Sequence, residues 1–133
     1  AYDSGPSIVA MALDYIKGGK STKFREMAAA EGGEITPYMV AKAAEAGDPV
    51  AKRIFAIVGE YIGIGLTSVI NLLNPEKVII GGGVAEAGDL LLDPIRKTIK
   101  ERAMVVAGSA VEIVPAQLGN SAGVIGASML IDA

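Results

Sequence analysis

Apolar residues recur every three to four positions over the first half of the chain, a spacing that predicts amphipathic helices. Polar breaks divide this half into four helices, expected over residues 7–16, 22–30, 37–46 and 49–73. Thr36 and Asp48 each precede a proline, the usual order of an N-cap and a first helical residue. Ser4 or Ser7 is the expected cap of the first helix. Asn74, followed by a proline, is expected to end the fourth.

The longest of these helices contains a nearly uncharged window, residues 54–73, in which Glu60 is the one charged residue. About twenty apolar residues can cross a bilayer, so a membrane span has to be weighed. A carboxylate is costly inside a bilayer, and helix caps of the soluble type bracket the segment. We therefore favour a fully buried core helix, in which Gly59 and Gly63 allow a sheet or another helix to approach closely. For Glu60 we expect a place in solvent or in a subunit interface rather than a catalytic role.

After residue 74, the apolar residues no longer recur with the spacing of a helix. Val78, Ile79 and Ile80 form a β-branched run, which predicts a strand that is covered on both faces. A second strand is expected over residues 111–115, where Pro115 ends it. Right-handed crossover rules make the two strands parallel and adjacent. A helix over residues 89–102 should lie between them in sequence, and the segment 118–127 should open a last helix, with Asn120 or Ser121 as its cap.

The helix expected over residues 89–102 has one apolar and one charged side. We expect Leu90, Leu91, Ile95 and Ile99 to point inward, and Arg96, Lys97, Lys100, Glu101 and Arg102 to point outward. Pro94 marks an early turn or a kink in this helix.

Three consecutive glycines, Gly81 to Gly83, follow the first strand, and ligands of open α/β sheets bind beyond the carboxyl ends of the strands. The dinucleotide pattern Gly-x-Gly-x-x-Gly fails here, because Glu86 or Ala85 stands where a glycine is needed. The P-loop pattern fails as well, because Asp89 stands in the place of its lysine. Neither phosphate-binding fingerprint is therefore present.

The charged residues beside this loop indicate which class of ligand it can bind. Glu86 and Asp89 already occupy the positive end of the following helix, which disfavours the terminal phosphates of a nucleotide. The loop suits a neutral, flat group such as adenine with its ribose, and Glu86 is a candidate acceptor for the ribose hydroxyls. The alternative is that the glycines make only a tight turn from strand to helix. Gly123, in the loop after the second strand, can line the same crevice or serve plain close packing.

Composition limits the chemistry that this chain can supply. Its 133 residues form at most one domain. Cys and His are both absent, which excludes thiolate and imidazole metal sites, Cys nucleophiles and His general bases from these residues. The net charge is −3 and the basic residues are scattered, so we expect no nucleic-acid binding through this chain. The absence of disulfides and of a signal peptide suggests the cytoplasm.

Two strands are too few for a free-standing parallel sheet, since α/β domains commonly have about five. The sequence also starts without Met. We therefore expect either that another chain supplies partner strands or that these residues form the carboxyl-terminal part of a larger protein.

Four segments, taken in their order and spacing, resemble the carboxyl-terminal part of the ROK family of repressors and sugar kinases. They are residues 2–8 (YDSGPSI), 46–51 (AGDPVA), 72–84 (LLNPEKVIIGGGV) and 118–127 (LGNSAGVIGA). The family belongs to the actin, Hsp70 and hexokinase superfamily, so the resemblance implies an α/β fold. It implies a partial ribonuclease-H-like lobe, rich in helices and with few parallel strands. Gly81, Gly82, Gly83 and Val84 would then border the adenosine of ATP.

The resemblance also implies a function for the parent protein, an ATP-dependent hexose kinase of the glucokinase type that uses ATP with Mg²⁺. The family's amino-terminal lobe, with its phosphate loop and catalytic Asp, has no counterpart here, nor do its zinc motif and sugar-binding His and Glu. We expect this chain alone to be inactive and to hold no catalytic residue and no zinc or other metal site. The residues expected to contact the nucleotide are Gly81, Gly82, Gly83, Val84, Glu86 and Gly123.

Partners follow from the same resemblance. The full-length protein should bind a nucleotide and a hexose and form a homo-oligomer, with no membrane partner. Two other hypotheses stay open. One is the shared domain of a ROK transcriptional repressor whose separate helix-turn-helix binds DNA. The other is an oligomerisation module, because the glycine-studded helix and exposed strand edges invite pairing.

Overall fold

Five helices and two strands make up the part of the chain that the structure, a computed structural model, describes, namely residues 4–82, 87–104 and 111–116. They are α1 (Ser4–Lys17), α2 (Lys23–Ala30), α3 (Pro37–Glu45), α4 (Pro49–Leu73), β1 (Lys77–Ile80), α5 (Asp89–Arg102) and β2 (Glu112–Pro115). A helix-rich α/β architecture with few parallel strands is thus confirmed. The last helix, predicted to begin within residues 118–127, lies outside the described residues.

Local side-chain chemistry sets the starts of α3 and α4, as predicted. Thr36 Oγ1 accepts a hydrogen bond from the Met39 amide at 3.3 Å. Asp48 Oδ1 accepts two amides in the first turn of α4, at 2.9 and 3.0 Å. The expectation that Ser7 caps α1 is wrong, because the helix already begins at Ser4 and Ser7 lies inside it.

Asp48 also makes a long-range connection that the sequence pattern did not reveal. Its Oδ2 accepts the amide of Lys23, at the start of α2, at 2.7 Å. The residue is only 4 % exposed, and buried carboxylates are stable when their oxygens accept hydrogen bonds. One side chain therefore joins the first turns of α2 and α4.

The core lies among the helices, around Phe24 and Phe55, and reaches the sheet through Ile113 of β2. Buried apolar side chains from all five helices contribute to it. The two strands are therefore held at one side of a mainly helical core.

α4 packs most extensively against α5. A Cβ on Gly63 would lie 2.6 Å from the Cβ of Thr98, and Gly59 stands in the same way against Pro94. The predicted role of both glycines is confirmed, with a helix as the close neighbour. Pro94 lies within α5, in its second turn. Gly59 contacts Pro94, and Gly63, one turn later, contacts Thr98. Because the contacts advance in the same order along both helices, α4 and α5 run in the same direction.

α4 is not the fully buried helix that the sequence suggests. One side packs against α1, α3 and α5, but Val69, Leu72 and Leu73 are 44, 82 and 69 % exposed. Among the described residues, α4 is also the one helix whose length and composition would allow it to cross a membrane. An apolar run predicts that a helix packs against other elements, but it does not show how many sides of the helix are covered.

The buried side of α5 differs in detail from the prediction. Leu91, Ile95 and Ile99 are buried as expected, whereas Leu90 is only partly buried. Leu92, which was not predicted to point inward, is 1 % exposed. The cause is that α5 packs against both α4 and β2, so its buried stripe is wider than one helix face.

β1 and β2 pair in parallel, as predicted, with Ile80 opposite Pro115. β2 begins at Glu112, one residue later than expected. The expectation that β1 is covered on both faces is wrong in the part of the chain described here, because Ile79 is 64 % exposed. Val78 packs against the core from the other face.

The outer edge of β2 is closed to further strands by Arg96 of α5 and by Pro115 of β2 itself. The amide of Glu112 donates to the carbonyl of Glu76, just before β1, and that of Ala116 to the carbonyl of Ile80. The alternate residues Ile113 and Pro115 therefore face the opposite edge. There the Ile113 carbonyl accepts two hydrogen bonds from Arg96, at 3.3 and 2.8 Å. Pro115 has no N–H to offer a neighbouring strand. Any further strand would therefore be accommodated beside β1.

Candidate functional site

The candidate site lies at the edge of the sheet where both parallel strands end. The Ile80 carbonyl, at the end of β1, accepts the Ala116 amide at 2.8 Å, so the two strands leave the sheet side by side. Gly81 follows Ile80 and is exposed. Among the described residues, the one atom that its Cβ would meet within 4 Å is the Cβ of Ala116, at 3.8 Å, an ordinary contact. Within that part of the chain, nothing else lies close to the bare backbone here.

Residues 81–88, which we call the glycine loop, join β1 to α5 and are described at both ends. Gly82 has φ +91°, and a Cβ there would meet no atom of the described residues within 4 Å. Gly88, just before α5, has φ +61°. Glycine is therefore needed at both positions by backbone conformation and not by crowding. The turn hypothesis and the ligand hypothesis both require this geometry.

The start of α5 carries less net negative charge than the sequence suggested. Asp89 Oδ1, in the first turn, lies 3.1 Å from Arg96 Nη1. The same nitrogen lies 3.1 Å from Asp93 Oδ1. Asp89 does occupy the first turn of α5, as expected, but the guanidinium of Arg96 supplies an opposite charge that the sequence-based prediction did not include.

Arg96 was predicted to point outward, and it does so only in part. Its side chain is 41 % exposed and folds back along α5 to reach the carbonyl of Ile113 on β2. The signal available in the sequence was the spacing of Asp89, Asp93 and Arg96, which places an arginine three and seven residues after two acids on one helix face. That spacing predicts the ion pairs but not the contact with β2.

Six residues were predicted to contact a nucleotide. Gly81 and Gly82 are described, and they lie together at the carboxyl end of β1. Gly83, Val84, Glu86 and Gly123 lie outside the described residues, so their assignment stays a prediction.

Metal binding and acid–base chemistry find little support in residues 4–82, 87–104 and 111–116. No group of three or more His, Cys, Asp or Glu side chains there could hold a metal ion. The pKa of Lys42 is raised, chiefly by its 3.0 Å hydrogen bond to Glu45 and also by the charge of that carboxylate. Lys42 is on α3, which packs against α1, α2 and α4, so this shift has no bearing on the glycine loop.

A second concavity, of about 510 Å³, follows the junction of α4 and α5. It includes Glu60, whose side chain is 58 % exposed and lies 4.0 Å from Arg102. This exposure agrees with the expectation that Glu60 lies in solvent or in a subunit interface. The charged side chains that line the groove are of both signs: Arg53, Lys97, Glu60, Asp93 and Glu101. Such a mixture does not favour either an anion or a cation.

The sequence matches the ROK family over residues 1–133. A glucokinase from Halalkalibacterium halodurans is 40 % identical over 99 residues, which cover 74 % of this chain and 30 % of the glucokinase. A xylose repressor from Caldicellulosiruptor bescii is 33 % identical over 98 residues, which cover 74 % of this chain and 25 % of the repressor. The chain therefore spans less than a third of these curated relatives.

The fold is similar to that of a solved ROK family glucokinase from Streptomyces griseus, in complex with glucose and AMPPNP. The TM-score is 0.76 at 33 % sequence identity, over 94 % of this chain and 41 % of that one.

Proposed function

This chain belongs to the ROK family, and from that premise we propose that it is the nucleotide-binding half of an ATP-dependent hexose kinase of the glucokinase type. The kinase would transfer a phosphoryl group from ATP to a sugar hydroxyl. Phosphoryl transfer needs a positioned hydroxyl, a base and a metal-bridged polyphosphate, and these belong in our proposal to the rest of the protein. By itself, the chain would bind the nucleoside end and catalyse nothing.

One observation carries this proposal, the bare backbone at the carboxyl end of β1. Gly81 is exposed, and no atom of the described residues lies within 4 Å of the place that a Gly82 Cβ would take. Such a surface lets a flat base and its ribose lie directly against the loop, at the edge where α/β sheets bind ligands. The adenosine site that we propose comprises Gly81, Gly82, Gly83, Val84, Glu86 and Gly123, with Glu86 accepting hydrogen bonds from the ribose.

Magnesium would enter with the polyphosphate. Mg²⁺ is usually held by one or two carboxylates together with substrate phosphates, and no carboxylate cluster lies among the described residues. We therefore assign its protein ligands to the part of the kinase outside the described residues. The AMPPNP bound in the Streptomyces griseus glucokinase supports the use of ATP.

The described residues would form part of a ribonuclease-H-like lobe. The missing strands would add beside β1, where Ile79 is exposed and the edge is not blocked, and not beside β2. This arrangement would also cover the face of β1 that the sequence led us to expect as buried.

The xylose repressor relative supports a second candidate function, the shared domain of a ROK repressor. Such a protein would carry a helix-turn-helix elsewhere and use these residues for another purpose. In either case we propose no DNA contact through this chain, whose net charge is −3.

Assembly and location are further proposals. The exposed apolar residues Val69, Leu72 and Leu73 on α4 support a homo-oligomer of the full-length protein, with α4 serving as a core helix and not as a membrane span. We place the protein in the cytoplasm. Light scattering of the full-length protein over a concentration series tests the assembly, and a monomer at every concentration would count against it.

A coupled assay of the full-length protein with ATP, Mg²⁺ and a panel of hexoses tests the function. ATP-dependent phosphorylation of glucose or another hexose would establish the kinase. A protein that phosphorylates no hexose but shifts DNA from its own operon in a mobility assay would be the repressor instead.

A further inference from the structure

Arg96 connects the elements that frame the glycine loop. Its Nε and Nη2 donate to the Ile113 carbonyl of β2, at 3.3 and 2.8 Å. Its Nη1 donates to Asp89 and to Asp93 of α5, each at 3.1 Å. Every nitrogen of the guanidinium is therefore engaged, and the side chain bridges the first turns of α5 and the outer edge of β2.

The two ends of the loop are held in different ways. At its start, the Ile80 carbonyl accepts the Ala116 amide, so the parallel ladder with β2 fixes the end of β1. At its end, Gly88 precedes α5 and brings no side chain that could cap the helix. Asp89 follows directly, and the hydrogen bond from Arg96 ties this residue to β2. Both ends of the loop are thus attached to the same strand.

We propose that Arg96 is a positioning residue, which holds the Gly88 end of the glycine loop against β2, in place for a nucleotide beside Gly81 and Gly82. This rests on the proposed function of the loop. A loop whose ends are fixed loses less conformational freedom when a ligand binds, so the ligand binds more tightly. Arg96 acts through Asp89 and not by touching the ligand.

If Arg96 had a purely structural role, its loss would have a different effect on nucleotide binding. Asp89 and Asp93 are 75 and 70 % exposed, and exposed ion pairs add little to global stability. If Arg96 only closed the edge of β2, its loss would change nucleotide binding no more than any other change on α5. Nucleotide affinity relative to hexose affinity is therefore the quantity that separates the two roles.

The test uses the full-length protein and calorimetric titration with ADP in magnesium buffer. We expect Arg96→Met to raise the ADP dissociation constant about tenfold, the scale of a lost preorganising contact. The KM for hexose should stay within about twofold of the wild-type value, because the contacts of Arg96 lie at the proposed nucleotide site. Arg96→Lys keeps the charge but loses the forked guanidinium that reaches both Ile113 and Asp89. Its ADP dissociation constant should therefore lie between those of the wild type and of Arg96→Met. Arg102→Met, on the same helix but paired with Glu60, is the matched control and should bind ADP normally.

A double-mutant cycle tests whether Arg96 works through Asp89. Asp89→Asn should weaken ADP binding in the same direction, and Arg96→Met should add nothing further in that background. Additive effects would overturn the proposal, as would unchanged ADP affinity in a folded Arg96→Met protein or an equal loss in Arg102→Met. Should Arg96→Met fail to fold, unchanged affinity in the exposed Asp89→Asn variant would overturn it. A wild-type protein that binds no ADP and phosphorylates no hexose would instead remove the proposed function itself.

Discussion

Gly59 of α4 stands directly against Pro94 of α5: a Cβ on Gly59 would lie 2.5 Å from the Cβ of Pro94, closer than two such carbons approach in proteins. The same imaginary atom would lie 3.1 Å from the Leu91 carbonyl oxygen. The distance between the two helices is therefore set by the absence of a side chain at this position. Since β1 joins α4 to α5, this spacing also fixes where the glycine loop ends.

Gly59→Ala should destabilise the protein by about 1–3 kcal/mol, the usual cost of overpacking. Gly65 is the matched control, because it lies in the same helix and a Cβ there would meet nothing within 4 Å. Gly65→Ala should stabilise by about 0.5–1 kcal/mol through helix propensity alone. Urea unfolding of both variants measures the difference. A Gly59→Ala protein as stable as the Gly65→Ala protein would show that α5 moves away without cost.

Asp48→Ala should cost about 2–4 kcal/mol, because it removes both the cap of α4 and the hydrogen bond to Lys23 of α2. Asp48→Ser retains a capping oxygen but cannot reach both partners, so it should recover roughly half of the loss. Urea unfolding again reports the free energies. Equal losses in the two variants would mean that the cap contributes little and the link to α2 dominates.

Gly81→Val should lower nucleotide affinity at least about tenfold while the fold persists, because its side chain would project toward the proposed ligand and make only an ordinary contact with Ala116. Gly82→Ala differs, since a residue with a Cβ is strained at φ +91° by about 1–2 kcal/mol. It should lose stability as well as affinity. Calorimetric titration with ADP and a thermal melt distinguish the two. Full ADP affinity in a folded Gly81→Val protein would leave only the turn hypothesis.

Gly83→Val extends the same test to the third glycine of the loop. We expect weaker ADP binding with little loss of fold in the full-length protein, because the new side chain would crowd the proposed adenosine site. Titration with ADP against the wild type measures the effect. Unchanged affinity would assign this glycine to the turn alone.

Ile79→Lys reports whether further strands or helices cover the outer face of β1. Ile79 is 64 % exposed in this chain, and a surface substitution there would change stability by less than about 0.5 kcal/mol. In the full-length protein we expect a loss above about 2 kcal/mol, because the ammonium group would be buried against the rest of the lobe. Tyr38→Gln on α3, at a similarly exposed position, should remain neutral in urea unfolding. A neutral Ile79→Lys variant would contradict the proposed lobe.

The helix starts at Thr36 and Asp48 were predictable because a cap and the amides it accepts lie within three residues. The parallel pair was predictable because two apolar runs separated by a helix have one favoured handedness. The same locality explains the failures. The sequence could not show that Asp48 also reaches Lys23, 25 residues away, since such a contact depends on how α2 and α4 are brought together.

What the sequence determined by itself is therefore local: the order of the elements, their caps, the small residues where helices touch, and a loop of glycines after a strand. The tertiary structure alone decided which sides of α4 and β1 are left exposed. It also decided that Arg96 turns from solvent to the Ile113 carbonyl, 17 residues away. The physical reason is that burial and long-range hydrogen bonds depend on several packed elements at once, whereas caps and turns depend on a few neighbouring residues.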